Sequence, residues 1–232
     1  MAPETKRPID LADIPWGSHL SLFYETNRDL LDILAPFFRA GLENNEFCVW
    51  VLPEPETVEE ARTELRRHLP DVDRYLAAGA IEIFSSNDWY LDKGGWDLEH
   101  VITRMNQKLE QALARGFLGL RGSGSSAWLQ RELPNGFQHY EAALNDAVAG
   151  KPLIVLCTFP LADVKAAELL DVAESHLFVG AMRNGRWQVL ETPELRAARR
   201  EITALNSELV DAVRKGALRP FPERQFKPER CR

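Results

Sequence analysis

Residues 18–34 read SHLSLFYETNRDLLDIL. Five apolar or small residues and one histidine run into a polar junction, and the junction runs into a segment whose leucines recur at helical spacing. The stretch predicts a buried strand over 19–24, a cap at Thr26 or Asn27, and a helix with Leu30, Leu31, Leu34, Phe37, Phe38 and Leu42 on its apolar face. A strand-to-helix junction of this kind holds a glycine-rich phosphate loop in many nucleotide-binding α/β proteins. Here it holds Tyr24-Glu25-Thr26-Asn27-Arg28. There is no glycine to let the backbone wrap a phosphate and no Lys-Ser/Thr pair to hold one. ATP hydrolysis is not expected.

Working outward, the same alternation repeats. FCVWVL (47–52), AIEIF (80–84), FLGLR (117–121) and LIVLCT (153–158) read as further strands, each short and apolar. Thr57 with Glu60 has the spacing of a capping box and opens a helix. Asp97 caps another, with Val101, Met105, Leu109 and Leu113 on one face. Residues 135–149 and 162–175 read as helices, and FVGAMRNGRWQVL as a hairpin turned at Asn184-Gly185. Five strands alternating with helices predict an α/β fold. Its sheet is mostly parallel, closed by a C-terminal antiparallel hairpin, with helices on both faces.

Composition bounds the function. The chain has 232 residues and a formal net charge of −7, so nucleic acid is not expected as a partner, because phosphate contacts need clustered Lys and Arg. No apolar run reaches 18 residues and the first residues do not form a signal peptide, so no membrane span and a cytoplasmic location are expected. The expected organisation is an N-terminal arm at 1–17, a domain at 18–192, a helix at 193–216 and a disordered tail at 217–232. Leu195, Ile202 and Leu209 are spaced by seven, with Ala198, Leu205 and Ala212 between. That seam suits a coiled coil pairing two copies through 194–215, or a helix folded back on the domain. The tail carries five basic and two acidic residues.

Ligands of parallel sheets sit outside the C-terminal strand ends. The rim segments therefore supply the candidate binding residues: Tyr24, Glu25, Trp89, Tyr90, Trp96, Arg121, Ser123, Ser125, Trp128 and Thr158. The tryptophans would wall a pocket for a small flat or apolar ligand, or pack a long 85–96 loop onto the domain. Arg121 at the end of an apolar strand must meet a ligand or a carboxylate, and Glu82 is the candidate partner. GSGSS at 122–126 would offer backbone N–H groups to an anion or simply turn the chain. His19, Cys48, Cys157 and His176 are the candidate metal ligands, but no two have the spacing of a local metal motif. Cysteines in apolar strands more often serve as small hydrophobes. No metal, cofactor or catalytic residue is expected, and there is no GxSxG elbow.

The segments HLSLFYETNRDLLDILAPFFRAGLENNEFCVWV, EEAR, IEIFSSNDWYL, LEQALARGFLGLRGSGSSAWL, LCTFPL and ETPEL, in that order, resemble the MEDS domain, the methanogen/methylotroph, DcmR sensory domain. The resemblance spans about residues 16–195. It implies a RecA/KaiC-like fold that has lost its phosphate loop. It also implies a sensor of small molecules, hydrocarbon or one-carbon derived, that signals to an attached or partner output module such as a histidine kinase or a transcription regulator. The resulting expectation is a non-catalytic sensor with an unidentified small ligand and a protein signalling partner. The alternatives are an interaction regulator without a small ligand, acting on a kinase or anti-sigma-type partner, and a residual nucleotide binder.

Overall fold

A computed structural model describes residues 11, 14–53, 57–92, 95–125, 134–176, 178–183, 186–191 and 201. The chain divides into two units, Met1–Thr192 and Pro193–Arg232. The sheet, its helices and both candidate sites belong to the first unit. The expected coiled-coil helix at 194–215, the tail, the Asn184-Gly185 turn and Trp128 lie outside the described residues, as do residues 1–10 of the arm.

Strand and helix of the 18–34 stretch form where its pattern puts them. Strand β1 (Ser18–Tyr24) is buried along its whole length. Helix α1 (Asn27–Glu43) starts at Thr26, whose hydroxyl accepts from the Asp29 N–H while the Asp29 carboxylate accepts from the Thr26 N–H. Strand β2 (Phe47–Val51) leads to helix α2 (Val58–His68), which has the same reciprocal cap between Thr57 and Glu60. Helix α3 (Val72–Ala77) and strand β3 (Ile81–Phe84) come after it. Next come the short helix α4 (Ser86–Tyr90) and a two-residue antiparallel ribbon, β4 (Leu91–Asp92) with β5 (Gly95–Trp96). Helix α5 (Leu98–Ala114), strand β6 (Leu120–Gly124), helix α6 (Pro134–Val148) and strand β7 (Leu153–Pro160) complete the middle. Helix α7 (Ala166–Ser175) precedes β8 (Phe178–Arg183) and β9 (Arg186–Glu191).

The main sheet has seven strands in the order β3-β2-β6-β7-β1-β8-β9. Two expectations are corrected here. The closing hairpin contributes a sixth parallel strand, because β8 pairs parallel with β1 and only β9 runs antiparallel at the edge. The strand read at 117–121 lies at 120–124, so Gly122, Ser123 and Gly124 are strand and not a loop. Glycine is a poor strand former. Here it is accepted because β6 lies between β2 and β7 and is held by ladder bonds on both sides.

Side chains alternate across this sheet. Leu20, Leu22 and Leu156 meet Ile33 and Phe37 of α1, and Trp50 meets Phe38. On the other face Val49, Val51, Val155 and Cys157 meet Val101 and Met105 of α5 and Tyr140 and Leu144 of α6. The described part of the arm is tied to the domain. Ile14 is buried, the Leu11 carbonyl accepts from Arg121, and the Trp16 ring packs where a side chain on Gly119 would go.

Candidate functional site

Burying the strong base Arg121 requires partners, and the sheet supplies them on the α1 face. Its Nε and Nη2 donate to the two carboxylate oxygens of Glu46 at 2.6 and 3.0 Å. Nη1 donates to the Leu11 and Phe37 carbonyls, and the guanidinium lies 4.9 Å from the Phe37 ring centre. Arg121 is fully buried. It is a structural ion pair, which corrects its assignment as a ligand contact, and Glu82 is not its partner. Glu82 instead accepts from Lys108 at 2.6 Å.

The opposite face of the sheet carries a cavity of about 40 Å³ between β2, β6 and β7 and helices α4, α5 and α6. By the space a water needs, that holds about three water-sized groups. Val49, Val51, Met105, Leu120, Leu144 and Val155 make it apolar. Gly122 lines it with no side chain, and a Cβ there would meet its neighbours at ordinary contact distance. Trp89 and Tyr90 of α4 line it too, as does Tyr140. Trp96 packs at 6.3 Å from the Tyr90 ring and 5.7 Å from the Tyr140 ring. A hydrogen bond links the Tyr90 and Tyr140 hydroxyls, and burial raises both phenol pKa values, so both stay neutral.

The described residues of the 85–96 segment, 85–92 and 95–96, therefore form a built wall. Ser85 caps α4 through the Asp88 N–H, and the Ser86 hydroxyl donates to the Leu52 carbonyl at the end of β2. Arg104 of α5 donates to the Asp88 carbonyl and lies 5.0 Å from the Trp89 ring centre. The Tyr90 hydroxyl sits against Gly124, where a Cβ would lie 2.6 Å from it. This close approach is what the second glycine of GSG provides, in place of an anion cradle.

The other candidates disperse. Tyr24 is buried and alternates with Leu20 and Leu22 onto the α1 face, away from the cavity. Glu25 is exposed. Ser123 contributes to the cavity lining, yet its side chain leaves with Arg121 on the other face, and its Oγ has no hydrogen-bond partner. Ser125 is buried at the end of β6. The Thr158 hydroxyl donates to the Gly124 carbonyl and joins two strands. The cavity itself lies beneath the rim, between sheet and helices, rather than outside the strand ends.

A second grouping is polar. His19 of β1, Cys157 of β7 and His176 after α7 converge with Glu141 of α6, and one donor atom from each lies within 4.8 Å of the others. All four are buried. His19 Nε2 is 3.2 Å from Cys157 Sγ and 3.5 Å from Glu141 Oε2, and His176 Nε2 is 3.2 Å from that same oxygen. Burial pushes His19 down to about 4, against a smaller upward pull from Asn145, and pushes His176 well below its ordinary value. Both imidazoles are neutral at pH 7. Cys48 does not join them: it lies near Arg121 and Gly41, with its thiol pKa raised by burial. Glu141 is a residue that the sequence reading misses. It stands in the middle of the buried stripe Phe137, Tyr140, Leu144 and Val148, and a carboxylate in an apolar stripe is the available signal.

The fold and the cavity together define a class: a seven-stranded α/β scaffold with a small apolar chamber on one face of its sheet. The family model for MEDS, the methanogen/methylotroph, DcmR sensory domain, matches residues 18–177, and the chain belongs to that family. No curated protein sequence matches it. Among solved structures, the crystal structure of the flagellar accessory protein FlaH from Methanocaldococcus jannaschii is similar. The TM-score is 0.52 and the identity 12%, covering 78% of this chain and 81% of that one. At that identity the likeness is of fold alone. Among the described residues no helix is long and apolar enough to cross a membrane.

Proposed function

We propose that this sensory domain receives a small, compact, uncharged molecule of about three heavy atoms, hydrocarbon or one-carbon derived, in the cavity beneath α4. The observation that carries this reading is the cavity itself: apolar walls, a side chain missing at Gly122, and the Tyr90–Tyr140 pair at its edge. Apolar walls reward transfer of an apolar ligand from water, and a phenol hydroxyl orients a halogen or oxygen atom. The domain is non-catalytic in this reading. Occupancy would shift α4 and the β4–β5 ribbon, and residues 193–232 would carry the change to a protein partner in the cytoplasm, with two copies paired through 194–215. A nucleotide is disfavoured at the groove between α1 and α2, because the Glu60 and Glu64 carboxylates beside Arg28 repel phosphate.

Met105 lines the cavity and is one of three methionines. Methyl-labelled methionine therefore gives a sparse spectrum in which one probe faces the site. Titration with dichloromethane, chloromethane and methanol should shift the Met105 methyl saturably in the full chain, and Gly122→Val should abolish the shift. A Met105 signal that ignores all three, or that responds equally in the filled variant, would sink the reading.

A further inference from the structure

We propose that His19, Glu141, Cys157 and His176 form a closed four-coordinate site for one divalent transition-metal ion, with Zn(II) the best fit.

The four donor atoms all lie within 4.8 Å of one another, close enough to contract onto one ion. Zinc bonds of about 2.0–2.1 Å to nitrogen or oxygen and about 2.3 Å to sulfur give tetrahedral edges of roughly 3.3–3.8 Å between ligand atoms. Three edges of the cluster measure 3.2, 3.5 and 3.2 Å. The donor set, two imidazoles, a thiol and a carboxylate, is one that suits zinc.

Outer hydrogen bonds orient the rings toward that centre. The Asn145 amide donates through Nδ2 to the Ser175 carbonyl, so its Oδ1 faces His19 Nδ1 as an acceptor at 3.0 Å. His176 Nδ1 faces the Val172 carbonyl at 2.7 Å. Both partners accept, which assigns the proton to Nδ1 in each ring and leaves both Nε2 lone pairs pointing inward. His176 Nε2 makes no hydrogen bond, although a carboxylate oxygen lies 3.2 Å away. A lone pair facing a carboxylate in a buried site is repulsive unless a cation stands between them. Two inward imidazoles held by outer hydrogen bonds are how proteins present metal ligands.

Charge balance agrees. Binding Zn(II) would release the Cys157 thiol proton to solvent, leaving a thiolate and a carboxylate around a doubly positive ion. The site is then neutral, as its burial requires. Four protein ligands leave no open position, so the site is structural, joining β1, α6, β7 and the end of α7. It stands independently of the small-molecule reading, although Cys157 also lines the cavity wall.

The test uses the full chain expressed in zinc-supplemented and in cobalt-supplemented minimal medium. Expected are one metal per chain by mass spectrometry of the elements, and X-ray absorption fitted by one sulfur at about 2.3 Å and three lighter atoms at about 2.0–2.1 Å. The cobalt form should show a thiolate-to-cobalt charge-transfer band. That band should vanish in Cys157→Ser and persist in a Cys48→Ser, Cys231→Ser double variant. Wild-type chain that carries neither metal, a metal shell without sulfur, or a band that survives Cys157→Ser would each overturn the site. The first of these would identify a shared proton as what bridges His176 and Glu141.

Discussion

Arg121 and Glu46 illustrate how a single residue is fixed by what its neighbours cannot leave exposed. A guanidinium at the centre of a sheet has no water, so its fork must be satisfied by a carboxylate and carbonyls, and α1 must leave space for it. Gly41 leaves that space: a Cβ there would lie 2.9 Å from Arg121 Cδ and 3.0 Å from Cys48 Sγ. Glu46→Ala should cost about 3–5 kcal/mol in chemical denaturation, because it strands a buried charge. A loss under about 1 kcal/mol, the range of an exposed pair, would mean the pair is solvated. Cys48, buried beside it with a raised pKa, should resist iodoacetamide at pH 8 in the folded chain and react on unfolding, as peptide mapping would read.

At the scale of elements, the capped helices are legible in the sequence because a cap is local chemistry. Thr57 and Glu60 satisfy each other's backbone three residues apart, and Thr57→Ala should lower stability by about 1 kcal/mol in thermal or urea unfolding. Strand β6 lies three residues beyond its sequence reading because its glycines answer to neighbours distant in sequence. Gly124 accommodates the Tyr90 hydroxyl and Gly122 faces the cavity. The two should therefore part company on substitution. Gly122→Ala should leave Trp89 fluorescence and stability close to wild type, whereas Gly124→Ala should displace Tyr90 and α4 and change the near-ultraviolet circular dichroism. Equal responses would mean that the Tyr90 contact does not hold α4.

For the whole molecule, the sheet order brings β1 next to β7 although 128 residues separate Tyr24 from Leu153. Both candidate sites lie across that seam or beside it. The cavity joins β2, β6 and β7 to three helices, and the His19 cluster joins four elements. The unit Met1–Thr192 has its own sheet and core, so a chain ending at Thr192 should keep a single cooperative unfolding transition. Loss of cooperativity on that truncation would show that the second unit is needed to complete the first.

By itself the sequence determined the alternation of the main strands and helices, the Thr57–Glu60 capping box, the loss of the phosphate loop after β1 and membership of a sensory family. Each of these is written in residues close together or in a fixed succession. Only the tertiary structure decided that Arg121 is occupied by Glu46, that Tyr24 faces away from Trp89, and that Glu141 meets His19, Cys157 and His176. Those facts depend on which face of a strand a residue takes and which strands become neighbours. Alternation makes a one-residue shift reverse the face, and strand order is set by the burial of whole helices rather than by any local pattern.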